Sequence, residues 1–202
     1  MAIFHYDHDL PASFIPSEMI AVDCEAMGLN HFRDRLCLIQ LSNGDGNAHL
    51  VQFHSTYEAP NLKKVLTDQK IIKIFHFARF DVALLQQYLG AVTFPLYCTK
   101  IASKLVRTFS DRHGLRDLCK DLLNIEISKQ QQSSDWGAEK LTDAQQHYAA
   151  NDVLHLHALK KQLDKMLLRE GRAELAKACF DFLPARAYLD LSGWAEEDIF
   201  HH

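Results

Sequence analysis

Carboxylates that close apolar runs constrain this chain more than any other feature. Ile20-Ala21-Val22-Asp23-Cys24-Glu25 ends in two acids. The run from Ile71 through Phe75 to Phe80 ends at a third, Asp81. The fourth, Asp152, follows Tyr148 in Tyr148-Ala149-Ala150-Asn151-Asp152. Drawing a carboxylate into apolar surroundings costs folding free energy unless a partner offsets it. Oxygen-only donors favour hard divalent cations such as Mg²⁺ and Mn²⁺. Each group alone has a plainer reading. Asp23 and Glu25, two apart, share one strand face and can simply end a strand in solvent. Asp81 can be a helix cap. Tyr148 and Asp152 are spaced as an ordinary pair on one helical face. Only the set, in this order, points to a site able to cut a phosphodiester.

The pattern between these segments predicts strands first and helices afterwards. Residues 1–17, broken by Pro11 and Pro16, read as a lead-in with room for one short edge strand. Strands follow over 19–25, 36–41 and 49–53, the last two joined by the hairpin signal Asn43-Gly44-Asp45-Gly46-Asn47. A short helix over 61–67 and a β-branched strand over 71–75 come next. The spacing of Val82, Leu85 and Leu89 predicts a helix over 81–89 capped by Gly90. A short strand near 95–97 and helices over 99–106 and 115–123 complete the middle. Gln130-Gln131-Gln132-Ser133-Ser134 reads as a loop. Thr142 caps a long helix expected to reach Glu170, and a last helix over 172–183 is expected to stop at Pro184.

Composition excludes several classes. At 202 residues with 48% hydrophobic content the chain suits one globular domain, 1–202. No apolar run approaches a membrane span, and no leader segment is read at the N-terminus. The five dispersed cysteines form no C-x-x-C pair, which argues against a disulfide framework or a zinc ribbon and for a reducing cytoplasm. The twelve histidines form no metal-binding motif, and His201 and His202, a terminal pair, are set aside. The net charge of −4 is not that of a long-duplex binder. Tyr188, Leu191, Trp194, Ile199 and Phe200 make the C-terminal region (about 172–202) apolar enough to dock on its own subunit or on another copy.

Taken together, the residues resemble the DEDDy branch of the 3′→5′ exonucleases, and ribonuclease D in particular. The motifs that carry the likeness are Asp23-x-Glu25, Leu36-Cys37-Leu38-Ile39-Gln40-Leu41, His76 to Asp81, Ser134-Asp135-Trp136 and Tyr148 to Val153. They cover roughly residues 19–165. The chain departs from ribonuclease D at Cys24, where threonine is usual, a side chain expected to face away from the metals. Only about fifty residues follow Asp152, too few for the helical domains that follow the nuclease in ribonuclease D. The chain is therefore closest to the single-domain nano-RNase C group, which it also resembles at Asp34 to Cys37, Asp111 to Leu115 and Trp194 to Phe200.

The resemblance implies an RNase H-like α/β fold, a mixed five-stranded sheet flanked by helices. It implies two divalent ions, Mg²⁺ or Mn²⁺, held by Asp23, Glu25, Asp81 and Asp152, with Tyr148 orienting a water. It implies a 3′→5′ exoribonuclease that hydrolyses short single-stranded RNA down to dinucleotides and releases nucleoside 5′-monophosphates, in a homo-oligomer, an octamer in that group. Leu29 would wedge against a terminal base, beside Met27 and Gly28, or else belong to the core. His76 and Phe77 are candidates to stack on a base or sugar, and Trp136 either stacks or, the favoured reading, pins a loop. Arg112, Arg116 and Lys120 form a phosphate patch or a solvated face. Two rival functions remain: trimming of structured RNA or DNA 3′ ends, and an inactive nucleic-acid-binding scaffold.

Overall fold

The computed structural model describes residues 1–128 and 130–201. His202 lies outside the described residues. Strands β1 (Ile3–Asp7), β2 (Met19–Ala26), β3 (Leu36–Ser42), β4 (Ala48–Gln52), β5 (Ile72–Phe75) and β6 (Leu96–Cys98) form one mixed sheet in the order β1-β4-β3-β2-β5-β6. β2, β3 and β4 are antiparallel neighbours, while β5 and β6 extend the sheet parallel to β2. All seven residues of β3 are buried, as a central strand covered on both faces requires.

The sheet has six strands rather than the expected five. The lead-in segment supplies β1, which pairs parallel to β4 from Ile3 opposite Ala48 to Asp7 opposite Gln52. Its side chains are mostly exposed, so no apolar alternation announced it. Its pairing covers what would otherwise be the open backbone edge of β4.

The helices are α1 (Pro60–Thr67), α2 (Ala78–Leu89), α3 (Thr99–Val106), α4 (Leu115–Leu118), α5 (Asp143–Leu154), α6 (Leu156–Arg169) and α7 (Ala173–Leu191). Pro60 opens α1, and the distant Asp9 carboxylate accepts from the Asn61 and Leu62 amides, capping a helix whose own N-cap, Ala59, has no side-chain acceptor. α4 runs into a single π-helical turn, Cys119–Leu123. Thr142 caps α5 with Gln145 in a reciprocal capping box. No helix among the described residues is long and apolar enough to cross a membrane.

Three boundaries differ from expectation. The long helix from Thr142 bends at His155 into α5 and α6, because α5 lies across β2, β3 and β4 while α6 packs on α3 and β5. α2 begins at Ala78, placing Asp81 inside its first turn rather than at its start. α7 passes straight through Pro184. A proline there forfeits one backbone bond, but Leu183, Ala187 and Asp190 stay buried, and α7 packs along α2.

Candidate active site

β2 is the spine of the site. It brings Asp23 and Glu25 to one face of the sheet, and α5 lays Tyr148 and Asp152 across the same region. Ala149 and Ala150, both fully buried, let α5 approach the strands closely. Ligand atoms of Asp23, Glu25 and Asp152 lie within 4.8 Å of one another, the one such group among the described residues. Asp81 sits beside this triad, close enough for its charge to act on Asp23 and Glu25. None of the four acids forms an ion pair within the described residues, although ten pairs occur elsewhere.

Burial and mutual repulsion therefore dominate the electrostatics. Burial first, then the charges of Asp81, Asp152 and Glu25, push Asp23 well above the usual carboxylate range. Glu25 is raised by burial and by Asp152 and Asp81. Burial pushes Asp81 up to about 8, although hydrogen bonds from Cys24 hold it back. Cys24, expected to face away from the acids, is thus a partner of one of them. Burial pushes Asp152 up to about 7 against a hydrogen bond from Tyr148. The Tyr148 phenol is itself raised, by burial and then by Asp152, Glu25 and Asp23, so it keeps its proton and acts as a donor. A compact set of oxygen donors lacking a basic neighbour fits hard divalent cations, which would cancel the repulsion.

The loop after β2 carries the first predicted substrate residues. Leu29 is 84% exposed, which excludes the core reading. It borders a cleft of about 470 Å³ shared with His31, Phe77, Arg79, Phe80 and Asp190. Gly28 has an intramolecular reason: a Cβ there would meet Asp34 Oδ2 at 2.3 Å. That carboxylate accepts from the Asn30 amide and fixes the turn. Met27 is half-exposed, and its amide bonds to the Arg35 carbonyl. Phe77 is half-exposed at the start of α2 in a left-handed conformation, with the Lys100 ammonium 4.0 Å from its ring centre. His76 Nδ1 is held 2.9 Å from Thr99 Oγ1.

Trp136 takes the favoured loop-pinning reading, and its candidacy as a substrate contact is corrected. At 2% exposure it has no face for a base. It packs in a small core with Cys37, Leu38, Leu50, Leu141 and Ala149, its ring 5.9 Å from that of Tyr148. Arg35 bonding the Gly137 carbonyl and Gln145 bonding the Asp135 carbonyl pin the loop around it. Trp136 therefore backs Tyr148 rather than lining a substrate face. The basic patch is partly neutralised, since Arg112 pairs with Asp117 and Lys120 with Glu126.

Two features escaped the sequence argument. Gln40 Nε2 donates to Asp23 Oδ2 at 2.7 Å, and a lone amide in an apolar strand was its signal. Arg79, two residues before Asp81, is held by Asp190 of α7 through bonds of 2.6 and 2.7 Å. That contact spans 111 positions, and no local pattern reveals it.

Comparison with known proteins agrees with this geometry. Residues 9–168 match the family described as 3'-5' exonuclease. Ribonuclease D of Gluconacetobacter diazotrophicus is 32% identical over 155 residues, which is 77% of this chain and 39% of that protein. The chain thus spans well under half the length of that relative. The structure of Brucella melitensis NrnC with bound Mg²⁺ superposes with a TM-score of 0.95 at 52% identity, covering all of both chains. NrnC bound to pGG gives 0.96 at 53% identity, covering all of this chain and 99% of that one. The chain belongs to the 3'-5' exonuclease family and is ribonuclease D-like, with the RNase H-like fold of that family.

The raised acids generate a prediction for protein freed of divalent ions by a chelator. Their folded pKa values exceed the unfolded values near 4. The stability linked to them is therefore complete below about pH 4 and is lost as pH rises through about 7 and 8. His31, His49, His113 and His155, all lowered, and Lys73, lowered to about 8, oppose this trend outside the window of about pH 6.5–7.5. Within it, the melting temperature of chelated protein should fall as pH rises, and Mg²⁺ or Mn²⁺ should restore it. A flat or rising profile by calorimetry would show that the acids are not packed together.

Proposed function

We propose that this member of the 3'-5' exonuclease family is a divalent-metal-dependent 3′→5′ exoribonuclease that degrades very short RNA, dinucleotides included, to nucleoside 5′-monophosphates. The convergence of Asp23, Glu25 and Asp152 within 4.8 Å, with no ion-pair partner among the described residues, carries the reading. A scaffold without catalysis gains nothing from such a costly arrangement. A further support is the pGG complex of a protein 53% identical along this whole chain.

In this reading Asp23, Glu25, Asp81 and Asp152 hold two divalent ions, and Mg²⁺ is the first candidate. When bound, such ions stabilise the charge that develops on the phosphoryl oxygens. The chain's residues do the rest. Tyr148, a neutral phenol hydrogen-bonded to Asp152, orients the attacking water toward phosphorus. Its raised pKa bars it from serving as the base. Water attacks, the bond from phosphorus to the 3′ oxygen breaks, and the leaving strand keeps a 3′ hydroxyl. Leu29 and Phe77, exposed beside the cleft, supply apolar surface for the last two bases. Base stacking on the Phe77 ring would contribute roughly 1–3 kcal/mol. Net charge is modest, so little long-range attraction holds an extended backbone.

Digestion of 5′-labelled RNA of several lengths with Mg²⁺ or Mn²⁺ tests the substrate. A dinucleotide should be cleaved at least as fast as a longer strand, with a free 3′ end required. An enzyme that trims long RNA or DNA but stalls on dinucleotides would favour the ribonuclease D-like rival.

Tyr148→Phe keeps the ring against Trp136 and removes only the hydroxyl. Its single-turnover rate should fall about 10²–10⁴-fold with substrate binding retained. An unchanged rate would make Tyr148 structural.

The chain also forms a homo-oligomer in this reading. Leu191 packs on its own subunit's core, but Tyr188, Trp194, Ile199 and Phe200 are each at least 43% exposed after folding. Apolar surface left in one region is a mark of an interface, and a closed ring buries it on every copy. Light scattering at micromolar concentration should give a multiple of 23.1 kDa, and a monomer mass would refute the assembly.

A further inference from the structure

We infer that Gln40 is a positioning residue for Asp23: its side-chain amide holds one carboxylate oxygen of that acid, so that the other faces the cation site. The inference rests on the proposed cation-binding reading and deepens it.

The argument begins with register. Gln40 of β3 stands directly opposite Asp23 of β2 in the antiparallel ladder, so the two side chains share a face of the sheet. Gln40 is fully buried between Ile39 and Leu41, themselves fully buried. Its Nε2 donates to Asp23 Oδ2 at 2.7 Å. The orientation follows from chemistry, since the opposite flip would set a carbonyl oxygen against a carboxylate. Its Oε1 has no partner among the described residues. A leucine would pack in this strand without any unmet polar group. The amide is thus costly as a core residue, and its one hydrogen bond goes to the acid at the centre of the cluster.

A carboxylate with one oxygen tied to a rigid strand loses rotational freedom and presents its second oxygen in a fixed direction. Partners that hydrogen-bond metal ligands commonly set metal affinity in this way. Gln40 is also the sole side chain seen donating to Asp23 among the described residues.

The test uses the full chain and isothermal titration with Mg²⁺ and with Mn²⁺. Gln40→Met preserves length and removes the donor. It should weaken divalent binding ~10–100-fold, lower kcat, and leave the KM for a dinucleotide little changed. Gln40→Glu keeps the shape and replaces the donor by a like charge, and should weaken binding more. If Gln40→Met fails to fold, Gln40→Leu with the same titration replaces it. If wild type binds the ions and Gln40→Met binds them equally well, the inference is overturned. If wild type itself binds no divalent ion, it is the cation-binding reading that fails.

Discussion

The dominant constraint in this molecule is four carboxylates, two from β2 and one each from α2 and α5, packed together with no ion-pair partner among the described residues. Burial raises every one of them, and repulsion from neighbouring acids adds to it at Asp23, Glu25 and Asp81. Such a cluster is a local expense that hydrophobic packing elsewhere must offset. The packing is there: β3 is buried along its whole length, and the core continues through β2, β5, α2 and α6. The order of dependence therefore runs from core to site. Rigid strands and two closely packed helices hold the acids in a geometry that free side chains would not adopt.

The surroundings of the cluster repeat one device, in which a polar side chain from one element ties the backbone or side chain of another. Asp34 fixes the turn that carries Leu29. Arg35 grips the Phe53 and Gly137 carbonyls and so holds the loop of Trp136 behind Tyr148. Gln52 reaches the Ala138 carbonyl of the same loop. Each bond alone is modest, about 0.5–1.5 kcal/mol net. Their joint effect is on precision, because a tether on each side leaves the phenol and the acids little freedom to drift.

What could be read in the sequence was what repeats locally. β2 through β4 followed from apolar runs and the Asn43–Asn47 turn, where Gly44 and Gly46 adopt positive φ as that signal requires. Asp23, Glu25, Asp81, Tyr148 and Asp152 stood out because acids at the ends of apolar runs are rare. β1 was barely visible, since its stability comes from backbone pairing rather than side-chain burial. The bend at His155 and the passage of α7 through Pro184 were invisible, because tertiary packing overrides the local preference in both. Trp136 shows the limit of residue type: loop pinning is the favoured reading beside stacking, and only burial decides between a stacking face and a loop anchor.

The C-terminal helix lies beyond the residues that match the family, which end at 168, yet it is tied to the chemistry. Asp190, 5% exposed, takes two bonds from Arg79 and a third from Arg186, and both guanidinium groups also bond the Ala195 carbonyl. Arg79 stands two positions before Asp81 on the first turn of α2, and the same turn borders the cleft of Leu29 and Phe77. Asp190 is desolvated although Arg79 is partly exposed, so losing both guanidinium partners would leave a buried carboxylate uncompensated. The end of α7 is therefore tied to the start of α2 through Asp190. Tyr188, Trp194 and Phe200 are exposed on the same terminal region. Because Arg79 and Arg186 share Asp190, this exposed terminal region and the helix that carries Asp81 belong to one charged network.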